Sequence, residues 1–188
     1  LMRPLRAFLR HLPADAGLIL DLRANPGGLT AMAPGITGLL VPHDASLGRM
    51  RLREGEIGFP VYAQKHHFDG PVAVLVDGAS ASTSEILAAG LQDLGRARVF
   101  GEPSAGAALP SAFKQLPTGD LFQYAIGDVQ TLKGGTLEGH GVVPDVAIAS
   151  TPAQLAAGED PVLDAARAWL AAAHAAHTAA AASATPSP

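Results

Sequence analysis

The segment PVAVLVDGASASTSEILAAGLQDLG, residues 71–95, decides how this chain folds. Its residues 72–76 are an apolar run with the length of a buried strand. Small residues at 77–81 then form a turn, and residues 84–94 carry apolar side chains at helical spacing. The segment therefore predicts a strand, a tight turn and a helix, and the rest of the chain is interpreted around this unit.

The turn brings hydroxyl groups to the start of the predicted helix. Ser82 or Ser84 can act as the N-cap, Glu85 falls in the first turn, and Gly95 suits the position after the last residue. Free N–H groups and the positive end of the helix dipole would face these hydroxyls, which suits an alkoxide or an oxyanion. The stretch is therefore a candidate nucleophile site, although serine and threonine also serve as simple helix caps.

Further strands are predicted on both sides of this unit. Residues 18–22 are apolar except for Asp21, which favours a strand buried on both faces of a parallel sheet. Residues 96–100 give another strand, and residues 113–116 and 121–126 flank a Pro-Thr-Gly-Asp turn, which is a strong hairpin signal. The alternation of strands and helices predicts an α/β fold with an antiparallel hairpin near the C-terminal end.

Shorter patterns predict the remaining elements. They are helices over residues 4–12, 30–40 and 160–173, a short helix capped by Thr151, strands over 59–64 and 146–149, and a loop or exposed hairpin over 42–58. The alanine-rich C-terminal end is low in complexity, and we expect it to fray.

Composition narrows the possible functions. The 188 residues are enough for one domain, or for one domain and a tail. A formal net charge of −4 gives no electrostatic case for nucleic acid or an anionic membrane as partner. Cysteine is absent, which excludes disulfides and thiolate chemistry. No apolar run reaches the length of a membrane span.

A serine nucleophile needs oxyanion donors and a base. Backbone N–H groups at Ser82 and Thr83 are candidate donors, and so are those of Gly27 and Gly28, where no side chain obstructs a ligand. The base is less clear, because no lysine or histidine stands in an obviously buried setting; the internal candidates are Lys65, Lys114, Lys133, His66, His67 and His140. No spacing of His, Asp and Glu indicates a metal site, and no cofactor is implied.

Four segments together resemble the S41 family of serine peptidases, which includes the carboxy-terminal processing proteases and the tricorn protease core. They occur here in the family's order and are spread over residues 17–148. The segments are LILDLRANPGG at 18–28, PVAVLVDGASASTSEILAAGLQD at 71–93, RARVFGEPSAGAALP at 96–110 and LEGHGVVPDVAI at 137–148.

The resemblance implies a fold and a set of site residues. The fold would be a ClpP/crotonase-like core of repeated β-β-α units over residues 1–150, followed by C-terminal helices over 151–175 and a low-complexity tail over 176–188. Ser82 matches the family's nucleophile, and the N–H groups of Thr83 and of Gly27 or Gly28 match its oxyanion hole.

The resemblance also bears on the base. In the processing-protease branch, a lysine base stands where this chain has Ala107, so the serine–lysine mechanism is not expected here. In the tricorn-like branch, a histidine base is oriented through a second serine by a glutamate, which Glu138 matches. That histidine would lie upstream of Leu1, and we therefore expect upstream elements of the core to be missing from this sequence.

The resulting hypothesis is a serine endopeptidase core that acts on peptides or unfolded proteins and could form a homo-oligomer. Family membership would imply an extracytoplasmic or periplasmic location. Two alternatives stay open. One is a non-catalytic module that binds a ligand or peptide on the same fold, and the other is a crotonase-type acyl-thioester enzyme that uses an oxyanion hole without the serine.

Overall fold

The computed structural model describes residues 2–13 and 15–183 of the chain. The predicted α/β class is confirmed, with three sheets and five helices among these residues. The helices are α1 (Met2–Arg10), α2 (Met32–Thr37), α3 (Thr83–Asp93), α4 (Pro152–Ala156) and α5 (Pro161–Ser183). The strands are β1 (Leu18–Asp21), β2 (Ala45–Leu52), β3 (Gly55–Val61), β4 (Val72–Val76), β5 (Ala97–Gly101), β6 (Ser111–Gln115), β7 (Leu121–Ala125), β8 (Gly127–Gln130) and β9 (Val146–Ala147).

A parallel sheet with the strand order β1-β4-β5-β9 forms the centre of the fold. All five residues of β4 are at most 1% exposed, as expected for a strand that has neighbours on both edges and layers on both faces. Burial of each large aliphatic side chain stabilises the fold by about 1.5–3 kcal/mol. The strand that leads into the candidate nucleophile is therefore among the most firmly held parts of the chain.

Different elements cover the two faces of this sheet. On one face, α3 packs between the sheet and the β2 region, where Leu47 fills the space beside Gly90. Helix α3 is buried from Thr83 to Leu91, so its apolar face is wider than the single stripe that the sequence predicts. On the other face, α5 packs with Val162 and Ala166 against Phe100.

Two stretches match the sequence prediction only in part. Of the loop or exposed hairpin predicted over residues 42–58, the structure has the hairpin: β2 and β3 pair with each other and β2 pairs with β8, most of β3 is exposed, and Leu47 and Phe59 are buried. The helix predicted over residues 30–40 is limited to the six residues of α2, and it contains Pro34 and Gly35 within it. Pro34 lies in the first turn, where a missing N–H removes no bond within the helix.

The ends of the helices follow the predicted signals more closely. Ser82 is the N-cap residue of α3, and Gly95, just after its C-cap, has a φ of +65°. Thr151 caps α4 and accepts a hydrogen bond from the Gln154 N–H. Helix α5 is longer than predicted and runs to Ser183, since alanine favours helix most strongly.

The predicted tail over residues 176–188 is described only in part, because residues 184–188 lie outside the described residues. No helix in the described part of the chain has both the length and the apolar character needed to cross a membrane.

Candidate active site

Ser82 lies where the central strand passes into the helix on its covering face. The turn after β4 ends at Ser82, whose φ of +56° and ψ of −120° are unusual for a residue with a side chain. Two hydrogen bonds hold this conformation, because the Ser82 N–H donates to the Ala107 carbonyl (3.1 Å) and to Glu85 Oε2 (2.8 Å). The Ser82 side chain is half-buried at the first turn of α3. A strained backbone held by its neighbours is a common feature of functional sites.

The glycine turn after β1 lies directly against Ser82. Gly27 has a φ of +89°, and a Cβ built there would be 2.7 Å from the Thr83 nitrogen and 2.9 Å from Ser82 Cβ. No residue with a side chain fits this position without moving the backbone of the α3 N-terminus. The structure therefore brings together the two segments that the sequence analysis proposed as the nucleophile and the oxyanion hole.

Hydrogen bonds between the turns after β1 and β4 produce this approach. The Ala24 N–H donates to the Asp77 carboxylate at 3.0 Å, and the Ala81 N–H donates to the Asn25 carbonyl at 3.0 Å. Ser80 Oγ, which is buried, donates to the Leu22 carbonyl at 2.8 Å. Because β1 and β4 are adjacent and parallel, their C-terminal turns emerge together, and these bonds fix the distance between them.

The N–H groups near Ser82 are not equally available to a ligand. The Gly27 N–H donates to Asn25 Oδ1 at 3.0 Å, whereas the N–H groups of Gly28 and Thr83 donate to no acceptor within residues 2–13 and 15–183. The Thr83 hydroxyl donates to the Gly28 carbonyl at 2.9 Å and so ties these two residues together. Of the predicted donors, Gly28 and Thr83 are the pair left open in this geometry.

Glu85 helps to hold Ser82 in place, a role that the sequence analysis missed. Its side chain is fully buried, and its carboxylate accepts four hydrogen bonds. The donors are the N–H groups of Ser82, Gly106 and Ala107 and the hydroxyl of Ser104. No cation pairs with this carboxylate in the described chain, so backbone and hydroxyl dipoles compensate its burial.

The spacing of Ser82 and Glu85 held the signal for this role. A serine N-cap with a glutamate three residues later is the capping-box pattern, and the structure places the Glu85 carboxylate on the Ser82 N–H as that pattern requires. What the pattern does not reveal is the second set of donors. These come from the loop after β5, which lies next to the start of α3 only in the folded chain.

Glu138 contacts the same loop. Its carboxylate is half-buried, and its Oε2 accepts a hydrogen bond from the Ala108 N–H at 2.9 Å. Ala107, the residue before, is bonded to Ser82, so Glu138 and the candidate nucleophile contact adjacent residues of the loop. Close packing at Gly106 fixes this arrangement, because its carbonyl accepts from the Gly139 N–H at 2.8 Å.

A small apolar cavity of about 130 Å³ opens beside the glycine turn. Gly28 and Thr83 form one side of it, and the remaining walls are mostly aliphatic, with Leu29, Met32, Ile36 and Leu87 among the lining residues. Leu29 is 77% exposed and stands at the surface next to Gly28. The cavity can accept an apolar group presented next to the open N–H donors.

The candidate bases lie in different places. His67 precedes β4 and pairs with Asp69 (2.8 Å), at the edge of the sheet opposite Ser82. His140 is exposed in the Glu138 loop, and its Nδ1 lies 2.9 Å from the Glu138 carbonyl oxygen. Lys133 pairs with Asp93, while the other candidates, Lys65, Lys114 and His66, have exposed side chains. Within the described chain, no hydrogen bond joins any lysine or histidine to Ser82.

An α/β fold with a serine at a helix start, next to a glycine turn with open N–H groups, is an arrangement suited to hydrolases that use a serine nucleophile. The model of peptidase family S41 matches residues 3–148. The chain therefore belongs to peptidase family S41, and the resemblance found in the sequence is confirmed.

Curated relatives agree with this assignment. A probable CtpA-like serine protease of Staphylococcus epidermidis is 32% identical over 146 residues, which are 76% of this chain and 29% of the relative. A carboxyl-terminal-processing protease of Picosynechococcus is 33% identical over 139 residues, 71% of this chain and 32% of the relative. The chain thus spans about a third of the length of these relatives.

Solved structures show the same fold. The photosystem II D1 C-terminal processing protease superposes with a TM-score of 0.68 at 28% identity, over 79% of this chain and 38% of that protein. A putative peptidase from Parabacteroides merdae gives 0.78 at 22% identity, over 90% of this chain and 56% of that protein. The tricorn protease gives 0.61 at 22% identity, over 84% of this chain and 15% of that protein.

Proposed function

We propose that this chain is the core of a serine endopeptidase in which Ser82 is the nucleophile. One observation carries the proposal: Ser82 is held in a left-handed conformation between Gly27 and Ala107, next to the open N–H groups of Gly28 and Thr83. The S41 relatives named as serine proteases support the reaction class.

In this proposal, the open N–H groups stabilise the charge that develops during attack. The Ser82 oxygen bonds to the carbonyl carbon of the peptide, and the carbonyl oxygen gains negative charge as its π bond opens. The Gly28 and Thr83 N–H groups donate to that oxygen, and the positive end of α3 adds to their effect. Loss of one such donor typically costs about 10²–10³ in turnover. Cleavage releases the amine, and water then hydrolyses the acyl-enzyme.

The Ser82 proton needs an acceptor, and we propose a tricorn-like one in place of a lysine. Ala107 occupies the position of the family's lysine and has no proton-accepting side chain. Glu138 would then orient a histidine through a second serine, which is consistent with its contact to Ala108. Because the chain spans about a third of its curated relatives, we place that histidine in a part of the protein outside this sequence.

The apolar cavity beside Gly28 suggests which peptides would be cleaved. An acyl group bound to Ser82 with its oxygen on the Gly28 and Thr83 N–H groups would have its side chain close to Leu29 and Met32. The cavity is small and lacks a charged lining residue. We therefore propose a preference for a small aliphatic side chain on the acyl side of the cleaved bond.

Labelling with a fluorophosphonate probe tests the nucleophile directly. We expect labelling to map to Ser82, to disappear in Ser82→Ala and to be retained in Ser84→Ala, the neighbouring serine on the same helix turn. A protein extended at its N-terminus should label and hydrolyse peptides at least 100-fold faster than this chain, since general-base catalysis contributes about 10²–10⁴-fold. Equal rates would place the base within residues 1–188, and loss of activity in His140→Ala would then identify it.

A peptide-binding module without catalysis is the second candidate. It is favoured by the absence of any lysine or histidine hydrogen-bonded to Ser82 in the described residues. If Ser82 stays unlabelled in the extended protein while peptide still binds, the module is the correct interpretation.

We further propose the finer organisation that the family implies. The core over residues 1–150 would be of the ClpP/crotonase-like β-β-α type, with C-terminal helices over 151–175 and a tail over 176–188. The parallel sheet with α3 on its face is consistent with such a core. We also infer peptide or unfolded-protein substrates and an extracytoplasmic or periplasmic location. Assembly into a homo-oligomer is part of the same proposal, and size-exclusion chromatography with light scattering tests it.

A further inference from the structure

The β6–β7 hairpin is an exposed apolar ribbon. Among the residues that the structure describes, its two strands pair only with each other, and every residue of β7 is exposed. Half of the exposed large apolar side chains in the described chain, seven of fourteen, lie within residues 109–126. They are Leu109, Phe113, Leu116, Leu121, Phe122, Tyr124 and Ile126. Such a concentration of exposed apolar surface marks an interaction site.

The hydrogen-bond register shows which backbone groups of β6 are open. At the two ends of the hairpin, the Ile126 N–H donates to the Pro110 carbonyl and the Leu116 N–H donates to the Asp120 carbonyl. In an antiparallel pair, bonded positions alternate with positions that face away from the partner strand. The N–H and C=O groups of Ser111, Phe113 and Gln115 therefore point outward from the free edge of β6.

This free edge leads back to the candidate nucleophile. β6 begins at Ser111, four residues after Ala107, whose carbonyl accepts from the Ser82 N–H. Leu109, between them, is 39% exposed. A peptide that pairs with this edge would therefore lie in line with the segment from Ala107 to Ser111, which borders Ser82.

We propose that the free edge of β6 binds unfolded polypeptide substrate as an added strand and guides it to Ser82. The proposal rests on the peptidase function proposed above. Backbone pairing would supply affinity that is largely independent of sequence, and Phe113, 66% exposed, would contact apolar side chains of the substrate. Residues 111–125 contain one lysine and one aspartate, so the ribbon favours an extended apolar chain over a strongly charged one.

Two matched proline substitutions test the edge. Ser111 on β6 and Gln123 on β7 both have outward-facing N–H groups, and their side chains are hydrogen-bonded to each other at 2.7 Å. Ser111→Pro and Gln123→Pro thus each remove that side-chain bond and one outward N–H, but from opposite edges. The measurement is the dissociation constant of fluorescein-labelled β-casein, an unfolded protein, by anisotropy in a Ser82→Ala background.

We expect Ser111→Pro to weaken casein binding about threefold to tenfold, as loss of one hydrogen bond does, while Gln123→Pro stays within twofold of the parent. Equal effects of the two substitutions, or no binding of casein by the parent, would overturn the proposal. So would a dimer in sedimentation that Ser111→Pro dissociates without any effect on casein, because the edge would then bind a second copy.

A second pair keeps the test valid if a proline variant does not fold. Phe113→Ser removes the apolar side chain and leaves the edge intact, and Phe8→Ser on α1 is its control, since Phe8 is 55% exposed. Only Phe113→Ser should weaken casein binding. Labelling of Ser82 by a fluorophosphonate in the extended protein, with Ser82 restored and β6 unchanged, tests the peptidase separately. Absence of labelling would count against the peptidase and leave the binding result standing.

Discussion

The turns around Ser82 and the β6–β7 hairpin are both built from tight turns with glycine, yet they differ in what surrounds them. Around Ser82, buried carboxylate, hydroxyl and backbone groups hold one another in hydrogen bonds, with Glu85 fully buried at the centre. In the hairpin, the backbone ladder is satisfied while the apolar side chains face solvent. The first region therefore fixes the position of Ser82, whereas the second presents apolar side chains for contact with a partner.

Placing the same side chain in both regions is expected to give the largest difference in effect. Gly27 and Gly119 have nearly equal φ values, +89° and +93°, so alanine strains the backbone similarly at each. At Gly27 the new Cβ also collides with the Ala81 carbonyl and the Thr83 nitrogen, both 2.7 Å away, whereas at Gly119 it meets no atom within 4 Å.

We expect Gly27→Ala to reduce fluorophosphonate labelling of Ser82 more than 100-fold, because it displaces the α3 N-terminus from the oxyanion position. Gly119→Ala should leave labelling unchanged and cost about 1 kcal/mol of stability. Measured in the extended protein, similar labelling of both variants would show that the contact between Gly27 and Ser82 does not position the nucleophile.

A second prediction concerns the buried carboxylate. In Glu85→Gln, the amide NH₂ replaces one oxygen and faces N–H donors, so at least one hydrogen bond to the loop or to Ser82 is lost. We expect a loss of about 2–4 kcal/mol of stability, as for an unsatisfied buried polar group, together with slower labelling of Ser82. Denaturant unfolding measures the first and probe kinetics the second.

The exposed Glu102, after β5, provides the control. Glu102→Gln should change unfolding free energy by less than about 0.5 kcal/mol, as is usual at surface positions. If Glu85→Gln is equally mild, the four hydrogen bonds to Glu85 contribute little to the position of Ser82.

A third prediction concerns Glu138, which makes one hydrogen bond to the Ala108 N–H and is only half-buried. In the active extended protein, Glu138→Gln should lower turnover about tenfold to 100-fold, because it removes the charge from the contact proposed to orient the histidine, and a charge-assisted hydrogen bond is worth about 1.5–3 kcal/mol. The amide oxygen can still accept from the Ala108 N–H. Thermal unfolding should change little. An equal loss in stability and turnover would mean that Glu138 only holds the loop.

Sequence patterns predicted elements that local chemistry determines. The strand, turn and helix over residues 71–95 follow from apolar periodicity and caps, and Gly27 was singled out because glycine tolerates close contact. The network around Glu85 could not be predicted, since Ser104 and Gly106 reach it only after β5 pairs with β4. Over residues 42–58 the sequence leaves a loop and an exposed hairpin as alternatives, because few large apolar residues mark the strands and the pairing with β8 exists only in the folded chain.

The smallest expected effect concerns the ion pairs that anchor the turn after β1. Arg23 donates to Asp21 and to Asp160 at the start of α5, and these hydrogen bonds lower the pKa of both carboxyls. The unfolded chain therefore binds these protons more readily than the folded one. The stabilisation is complete above the ordinary carboxyl pKa of about 3.9 and is lost as the pH falls through the lowered folded values.

Arg23→Gln should consequently lower Tm by about 2–4 °C near pH 7, which corresponds to roughly 1 kcal/mol in a chain of this size. The gap between variant and parent should narrow below pH 4, since protonated Asp21 and Asp160 no longer attract Arg23. Arg53→Gln, in the exposed turn between β2 and β3, should show no such dependence on pH. Scanning calorimetry from pH 7 to pH 3 measures the gap, and a gap that widens with acid would mean that the pairs do not lower these pKa values.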